Sequence, residues 1–144
     1  MKKFFAILVL AFCITVLIIV VNFNEYQKNQ RQVNNFNREF EEYNKEDVLG
    51  VDITTLINKA ISNNEKYGVQ KDENGLYIDD GKNSIQIYIT MIINGQTYPM
   101  ENINKLGMDS FTSYFGVIKF RCTNISYHEE TSKIASMTFE STQY

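Results

Sequence analysis

The sequence predicts an α+β protein in which an N-terminal transmembrane helix continues into an amphipathic stalk helix and then into a small domain. Residues 4–21 are apolar and uncharged, residues 22–49 keep a helical periodicity, and the remainder is rich in alternating strand patterns. In the domain, we expect one further helix to pack on an antiparallel sheet of about four strands. The chain is therefore divided into a short cytoplasmic N-terminus at 1–3, the transmembrane helix at 4–21, the stalk helix at 22–49 and an extracytoplasmic domain at 50–144.

The apolar run at 4–21 is long enough to cross a hydrocarbon core, because a helix rises roughly 1.5 Å per residue. Thr15 is its only conventional polar side chain. A cleaved signal peptide has a shorter apolar region that ends in small residues, and neither feature is present. We therefore expect an uncleaved signal anchor. Its lipid-facing side chains are predicted to be Phe4, Phe5, Ile7, Leu8, Leu10, Phe12, Ile14, Leu17, Ile18 and Val21.

Flanking charge predicts the orientation of this anchor. Lys2 and Lys3 directly precede the apolar run, and cytoplasmic flanks are enriched in Lys and Arg. Lys28, Arg31 and Arg38 lie on the other side but farther from the run. We therefore expect a single-pass protein of the cell membrane with its domain outside the cytoplasm.

The net charge limits the kinds of partner that the chain can bind, and the two cysteines limit its disulfides. The net charge of −3 becomes −5 without Lys2 and Lys3, with 12 basic against 17 acidic residues, which disfavours nucleic acid as a partner. Cys13 lies at membrane depth and Cys122 in a strand pattern, so an internal disulfide is not expected. Two alternatives remain for Cys122, a buried thiol or a pairing with a second chain.

The stalk helix carries an apolar stripe on one face. Tyr26, Val33 and Phe40 recur every seven residues, and Phe36 and Tyr43 complete the pattern. We call these five residues the stalk stripe and regard it as a candidate interaction surface. Its other faces are rich in Asn, a poor helix former, so the stripe must be covered. Phe36 and Phe40 are predicted to pack on the chain's own core, and Tyr26 and Val33 on a protein partner or a second copy.

A second amphipathic helix is predicted after Gly50, which breaks the first one. Asp52 is placed to cap it, and Asn63-Asn64 to end it. Its apolar face is predicted to contain Ile53, Leu56, Ile57, Ala60 and Ile61. Turn residues dominate residues 65–83, with one possible short strand at 76–78.

The first predicted hairpin is marked by Asn94-Gly95, a dipeptide that favours a type I′ turn. Residues 96–98 should return antiparallel to the preceding strand, and Pro99 should end the pairing. The apolar face of that preceding strand is predicted to consist of Ile85, Ile87, Ile89, Met91 and Ile93.

One or two short helices are predicted between Met100 and Phe115. The second should be capped by Asp109, stopped by Gly116, and carry Phe111, Tyr114 and Phe115. A second hairpin is predicted from strands at 117–127 and 134–140. Its apolar faces should contain Ile118, Phe120 and Cys122 on the first strand and Ala135, Met137 and Phe139 on the second.

No catalytic, cofactor or metal site is predicted. His128 is the only histidine and lies beside Glu129 and Glu130 in a connection between strands, a pattern typical of a solvated turn. Cys122 and His128 would be roughly 20 Å apart along one strand at about 3.3 Å per residue. The acids near Asp79 lack the spacing of an EF-hand loop, so they also indicate a solvated turn.

Two resemblances add to this interpretation. The segments FNREFEEY at 36–43, GVD at 50–52 and LINKAISNN at 56–64 resemble a group of uncharacterised single-pass membrane proteins of Firmicutes. The layout of apolar helix, amphipathic continuation and C-terminal sheet is also similar to that of type IV pilins and pseudopilins. Those proteins carry a Gly before their processing site and a Glu within the apolar helix, and this chain has neither at residues 3–21.

These features favour a non-enzymatic, membrane-tethered module that binds protein as an accessory part of a surface, secretion or pilin-like assembly. The alternative is a membrane-tethered sensor or small-ligand-binding domain that uses the sheet. A ligand binder should have a concave apolar pocket with a few convergent polar groups.

Overall fold

The computed structural model describes the backbone of residues 2–142 and the side chains of residue 4 and residues 7–142. The chain divides into two compact units after Asn35. Its elements are α1 (Lys2–Glu41), β1 (Val48–Leu49), α2 (Gly50–Lys66), β2 (Gln86–Met91), β3 (Gln96–Pro99), α3 (Met100–Leu106), α4 (Met108–Phe115), β4 (Lys119–Tyr127) and β5 (Ile134–Ser141).

The described part of the first unit is α1 as far as Asn35, and α1 is long and apolar enough to span a membrane. Every side chain from Ile7 to Gln32 is exposed. Phe4 and the other described anchor residues are therefore free to contact lipid. The side chain of Phe5 and the last two residues of the predicted domain lie outside the described residues.

Helix α1 ends at Glu41, so the prediction of a stalk helix to residue 49 is wrong. The backbone N–H groups of Tyr43 and Asn44 donate to the carbonyls of Phe40 and Glu41 at 3.0 and 2.9 Å, which tightens the last turn. Val48 then pairs with Phe120 as an edge strand and is buried. A β-branched residue that fills the core in an extended conformation cannot also continue the helix.

The sheet has five strands in the order β1-β4-β5-β2-β3. The two predicted hairpins, β2–β3 and β4–β5, are both confirmed as antiparallel pairs. The prediction of a purely antiparallel sheet of about four strands is wrong, because β2 and β5 pair in parallel and β1 adds an edge strand. Helices α3 and α4 connect the first hairpin to the second, so the connection is longer than a tight turn. A long connection of this kind allows β5 to lie beside β2 and run in the same direction.

One core joins the sheet to α2. The predicted apolar faces of α2 and β2 are confirmed, except that Ile61 is half-buried and Ile93 is 73% exposed beyond the end of β2. The largest fully buried side chains are Ile53, Leu56, Ile57, Ile85, Ile87, Ile89, Met100, Phe120, Ile134, Met137 and Phe139. Phe111, Tyr114 and Phe115 lie on α4 as predicted, and Tyr114 is exposed.

The turn of the first hairpin is not of type I′. Met91 pairs with Gln96, which leaves four residues in the loop instead of two. Gly95 has a positive φ of 64°, and Asn94 does not share it. The N–H of Gly95 donates to the Met91 carbonyl at 2.8 Å, so a single left-handed glycine closes the loop. Pro99 ends the pairing as predicted.

Neither predicted aspartate cap is formed. Helix α2 begins at Gly50 after Leu49, and α4 begins after Gly107, with no side-chain cap at either position. In α2, the N–H groups of Gly50 and Val51 donate instead to the carbonyls of Ile118 and Gly116 at 2.9 and 3.1 Å. Tertiary contacts therefore satisfy the donors that a cap residue would otherwise bind. Asn63-Asn64 does not end α2 either, since the helix continues to Lys66.

Gly50 is required where α2 meets the end of α4. A Cβ atom on this residue would lie 1.9 Å from the Phe115 carbonyl oxygen and 2.6 Å from its carbon. Gly50→Ala should therefore lower the free energy of unfolding by about 2 kcal/mol or more, as overpacking does in a close-packed interior. Near-UV circular dichroism during denaturation of the full chain in detergent micelles would measure this loss.

Gly95→Ala is the matched control for this experiment. It carries a conformational cost of about 1 kcal/mol because of the positive φ, but a Cβ there meets nothing within 4 Å. Equal losses for the two variants would contradict the close contact at Gly50.

Candidate functional site

The stalk stripe has different surroundings along its length. Tyr26 is 59% exposed and Val33 is half-buried, both within the first unit. Phe36 and Tyr43 are partly buried against the core of the second unit, and Phe40 is only 2% exposed. The expected packing of Phe36 and Phe40 on the core agrees with their burial, whereas Val33 is not fully exposed. The role of Tyr26 and Val33 in binding a partner stays a prediction.

Asn37 fixes this end of α1 through a pair of hydrogen bonds to the β4–β5 connection. Its Nδ2 donates to the Ser132 carbonyl at 2.8 Å, and its Oδ1 accepts the N–H of Ile134 at 2.9 Å. The neighbouring Phe36 and Phe40 rings lie 5.0 Å apart, in an aromatic contact. Sequence reasoning counted Asn37 only as a poor helix former. Its partners are 95 and 97 residues away, and no local pattern indicates them.

Tyr43 contacts a cation from α2. Lys59 Nζ lies 5.2 Å from the centre of the Tyr43 ring and 2.8 Å from Glu42 Oε1. The hydrogen bond from Lys59 lowers the pKa of Glu42, and the same bond raises the pKa of Lys59. Burial raises the pKa of the Tyr43 hydroxyl. Glu42 and Lys59 are exposed, and an exposed ion pair adds little to the free energy of unfolding. The pair therefore acts mainly by orienting the chain that follows α1.

His128 is not in a solvated turn, so that prediction is wrong. The residue is buried beneath the β4–β5 connection, and its imidazole Nε2 lies 2.7 Å from the carbonyl oxygen of Ser84. Its Nδ1 lies 3.5 Å from Oδ1 of Asp79. A lone histidine among polar residues gives no sign of burial in the sequence, because the carbonyl that holds it lies 44 residues earlier.

The acidic residues beside His128 form a tightly bonded turn. Oδ1 of Asp80 accepts the N–H groups of Ser84, Asn83 and Lys82 at 2.8, 2.7 and 2.9 Å. Burial raises the pKa of Asp80, but these N–H groups outweigh it and bring the pKa to about 2. The N–H of Gly81, followed by the hydroxyl of Ser84, lowers the pKa of Asp79.

One ligand atom each from Asp79, Asp80 and His128 lies within 4.8 Å of the others, so the group could hold a metal ion. The sequence did not indicate a metal site at these acids, because they lack the spacing of an EF-hand loop. The turn at Asp79 and the histidine are far apart in the chain, and the fold brings them together.

A third polar group surrounds Glu101 on α3. Its Oε1 accepts the N–H of Tyr77 at 2.9 Å and Nε2 of Gln86 at 2.6 Å. Its Oε2 is buried without a hydrogen-bond partner, as is the Tyr77 hydroxyl. Both residues line a cleft of about 300 Å³, which Lys71 and Lys105 also line. Most of the residues that line the cleft are polar, unlike those of the apolar pocket that the ligand-binding alternative predicted.

Cys122 is half-buried and free. Burial raises the pKa of its thiol, which favours the protonated and less reactive form. Its Sγ contacts the Asn124 carbonyl at 3.7 Å. This environment is that of a small, partly buried side chain on the sheet.

No protein-family model, no curated protein and no solved structure matches this chain. The resemblances to Firmicutes membrane proteins and to pilins stay predictions.

Glu101 offers a direct test of its role in the fold. Glu101→Gln keeps an Oε1 acceptor for Tyr77 and Gln86 and removes a buried charge, so stability should be unchanged or higher. Glu101→Leu leaves both donors unpaired and should lower the free energy of unfolding by about 2 kcal/mol or more. Denaturation of the two variants in parallel measures the difference. Equal destabilisation by both would show that the charge itself holds this region.

Proposed function

We propose that the protein is a membrane-anchored extracytoplasmic protein-interaction module, an accessory component of a surface, secretion or pilin-like assembly. The observation that carries this proposal is that Tyr26 is exposed and Val33 only half-buried on a helix long enough to span a membrane. Lipid covers the anchor residues, and the core of the second unit covers Phe40. Tyr26 has neither cover within the described chain.

Lipid does not reach the whole stripe. At about 1.5 Å per residue, Tyr26 lies roughly 8 Å and Val33 roughly 18 Å along the helix from Val21. The headgroup layer is only about 6 to 7 Å thick on each side. Val33 therefore lies in water when Val21 lies at the hydrocarbon boundary, and a helix this rich in Asn frays there unless another protein segment packs on it.

Catalysis is not part of the proposed function, although Ser84, His128 and Asp79 are the residue types of a hydrolytic triad. His128 Nε2 binds the backbone carbonyl of Ser84, not its hydroxyl. The Ser84 hydroxyl donates to Asp79 Oδ1 at 2.8 Å. The imidazole therefore cannot take the hydroxyl proton, which is the step that activates a serine nucleophile.

A second candidate function is a membrane-tethered sensor or small-ligand binder. The unpartnered oxygens of Glu101 and Tyr77 beside a polar cleft favour it, because a ligand with hydrogen-bond donors would satisfy them. Such a ligand would be small and polar, for example an amine.

The interaction proposal predicts that charge on the exposed stripe breaks association. Tyr26→Asp combined with Val33→Asp should abolish self-association or co-purification of partners from membranes, because two carboxylates cannot be buried in an apolar contact. Unfolding of the second unit should be unchanged, since neither residue belongs to it. Cross-linking in native membranes, followed by purification, measures association.

Asn24→Asp combined with Asn35→Asp is the matched control. At about 100° per residue these exposed residues lie on the opposite face of the helix, and the double change adds the same charge. Association that survives the stripe variant, or is lost equally in the control, would reject the proposal and favour the sensor.

The proposed orientation predicts which side of the membrane each end of the chain contacts. In a variant with Cys13 and Cys122 replaced by Ala, Lys105→Cys should react with a membrane-impermeant maleimide in intact cells. Lys3→Cys should react only after the membrane is permeabilised. The opposite labelling pattern would place the domain in the cytoplasm.

A further inference from the structure

We propose that Asp79, Asp80 and His128 form a binding site for a divalent transition-metal cation, with Zn²⁺ as its simplest representative. The proposal concerns a site outside the stalk stripe and does not depend on the proposed function. It rests on the arrangement of the ligand atoms and on the burial of the imidazole.

The imidazole has one ring nitrogen available as a ligand. A carbonyl oxygen only accepts hydrogen bonds, so the Nε2 that lies 2.7 Å from the Ser84 carbonyl carries a hydrogen. In the neutral ring, Nδ1 then presents a lone pair to Oδ1 of Asp79 at 3.5 Å. Two acceptors that face each other are satisfied by a cation bound to both. Metal-binding histidines commonly donate their other ring N–H to a backbone carbonyl in this way.

The alternative is an imidazolium that forms an ion pair with Asp79. The environment of the two side chains disfavours this ion pair. The His128 side chain is only 2% exposed, so a charged ring would lose nearly all its hydration. The Asp79 side chain is 72% exposed and its Oδ1 already accepts two hydrogen bonds. A cation can instead enter from the exposed side, through Asp79, and keep water ligands there.

The two carboxylates are held before any ion binds. Backbone N–H groups donate to Oδ1 of Asp80 and hold it in place. The N–H group of Gly81 and the hydroxyl of Ser84 do the same for Oδ1 of Asp79. Ligands that are already ordered lose little freedom on binding. Lys82, in the same turn, pairs with Glu130 at 3.3 Å, and no Lys or Arg among the described residues forms a salt bridge with either aspartate.

The ligand set selects the class of ion. An imidazole nitrogen with two carboxylate oxygens suits Zn²⁺ and its first-row neighbours, whereas Ca²⁺ prefers six to eight oxygen ligands. A bound ion would join the 79–84 turn to the beginning of the β4–β5 connection, two segments that are far apart in the sequence.

The test is titration of the full chain in detergent micelles with Zn²⁺, followed by isothermal calorimetry. We expect one ion per chain and a rise in the melting temperature on the order of 5 °C at saturation. Since the sequence has one histidine, the imidazole ¹⁵N spectrum reports on His128 alone. It should show a protonated Nε2, which the Ser84 carbonyl requires, and Zn²⁺ should shift the Nδ1 resonance.

His128→Gln and Asp79→Asn identify the ligands. Gln can still donate to the Ser84 carbonyl and Asn can still accept from Gly81, so the fold is retained while affinity for Zn²⁺ should fall at least tenfold. Asp72→Asn is the matched control, because Asp72 accepts the N–H groups of Asn74 and Leu76 in a similar turn without a histidine. Its affinity should equal that of the unmodified chain.

Four outcomes would overturn the proposal. One is the absence of Zn²⁺ binding below about 1 mM. Another is binding that survives His128→Gln, or Ca²⁺ binding as tight as that of Zn²⁺. The last is a ¹⁵N spectrum that shows a doubly protonated ring that Zn²⁺ leaves unchanged, which would establish the ion pair with Asp79 instead.

Discussion

The fold depends on how the last turns of α1 are held in the core of the second unit. Burial of Phe40 stabilises by roughly 1.5 to 3 kcal/mol, and the two hydrogen bonds of Asn37 contribute roughly 1 kcal/mol each. Each Asn in a helix costs about 0.5 to 0.7 kcal/mol relative to Ala, so these contacts offset several such residues. Upstream of Asn35 the described residues include no buried side chain.

A second constraint lies in the irregular segment between α2 and β2. Residues 67–85 contain one isolated bridge, Lys71 with Tyr77, and little other regular structure. Side chains from distant elements satisfy its backbone instead. Asn64 binds both the N–H and the carbonyl of Ile85 at 2.8 Å, Glu101 binds Tyr77, and His128 binds Ser84. Buried polar groups are therefore placed where the backbone lacks a strand partner.

The sequence predicted what is local and missed what these contacts create. Alternating apolar residues and turn residues indicated both hairpins and the apolar face of α2, because the signal lies within one element. The parallel pairing of β2 with β5 has no such signal, since both strands are apolar on the same alternate positions. His128 was interpreted as part of a solvated turn and Asn64 as part of a helix end, because hydropathy cannot show a hydrogen-bond partner that lies far away in the sequence. The grouping of Asp79, Asp80 and His128 was missed for the same reason, whereas the burial of Phe36 and Phe40 followed from the helical period alone.

The β4–β5 connection links the end of α1 to the polar groups of the irregular segment. Ser132 and Ile134 bind Asn37, while Lys133 Nζ donates to Asn83 Oδ1 at 2.7 Å and lies 5.4 Å from the Phe36 ring. Thr131 donates to the Lys82 carbonyl at 3.0 Å. His128 begins this same connection, so a cation bound to its imidazole would hold the loop that in turn holds Asn37. Asn37 lies on the same helical face as Phe36 and Phe40. The order of that loop and the packing of these two aromatic side chains on the core are therefore physically coupled.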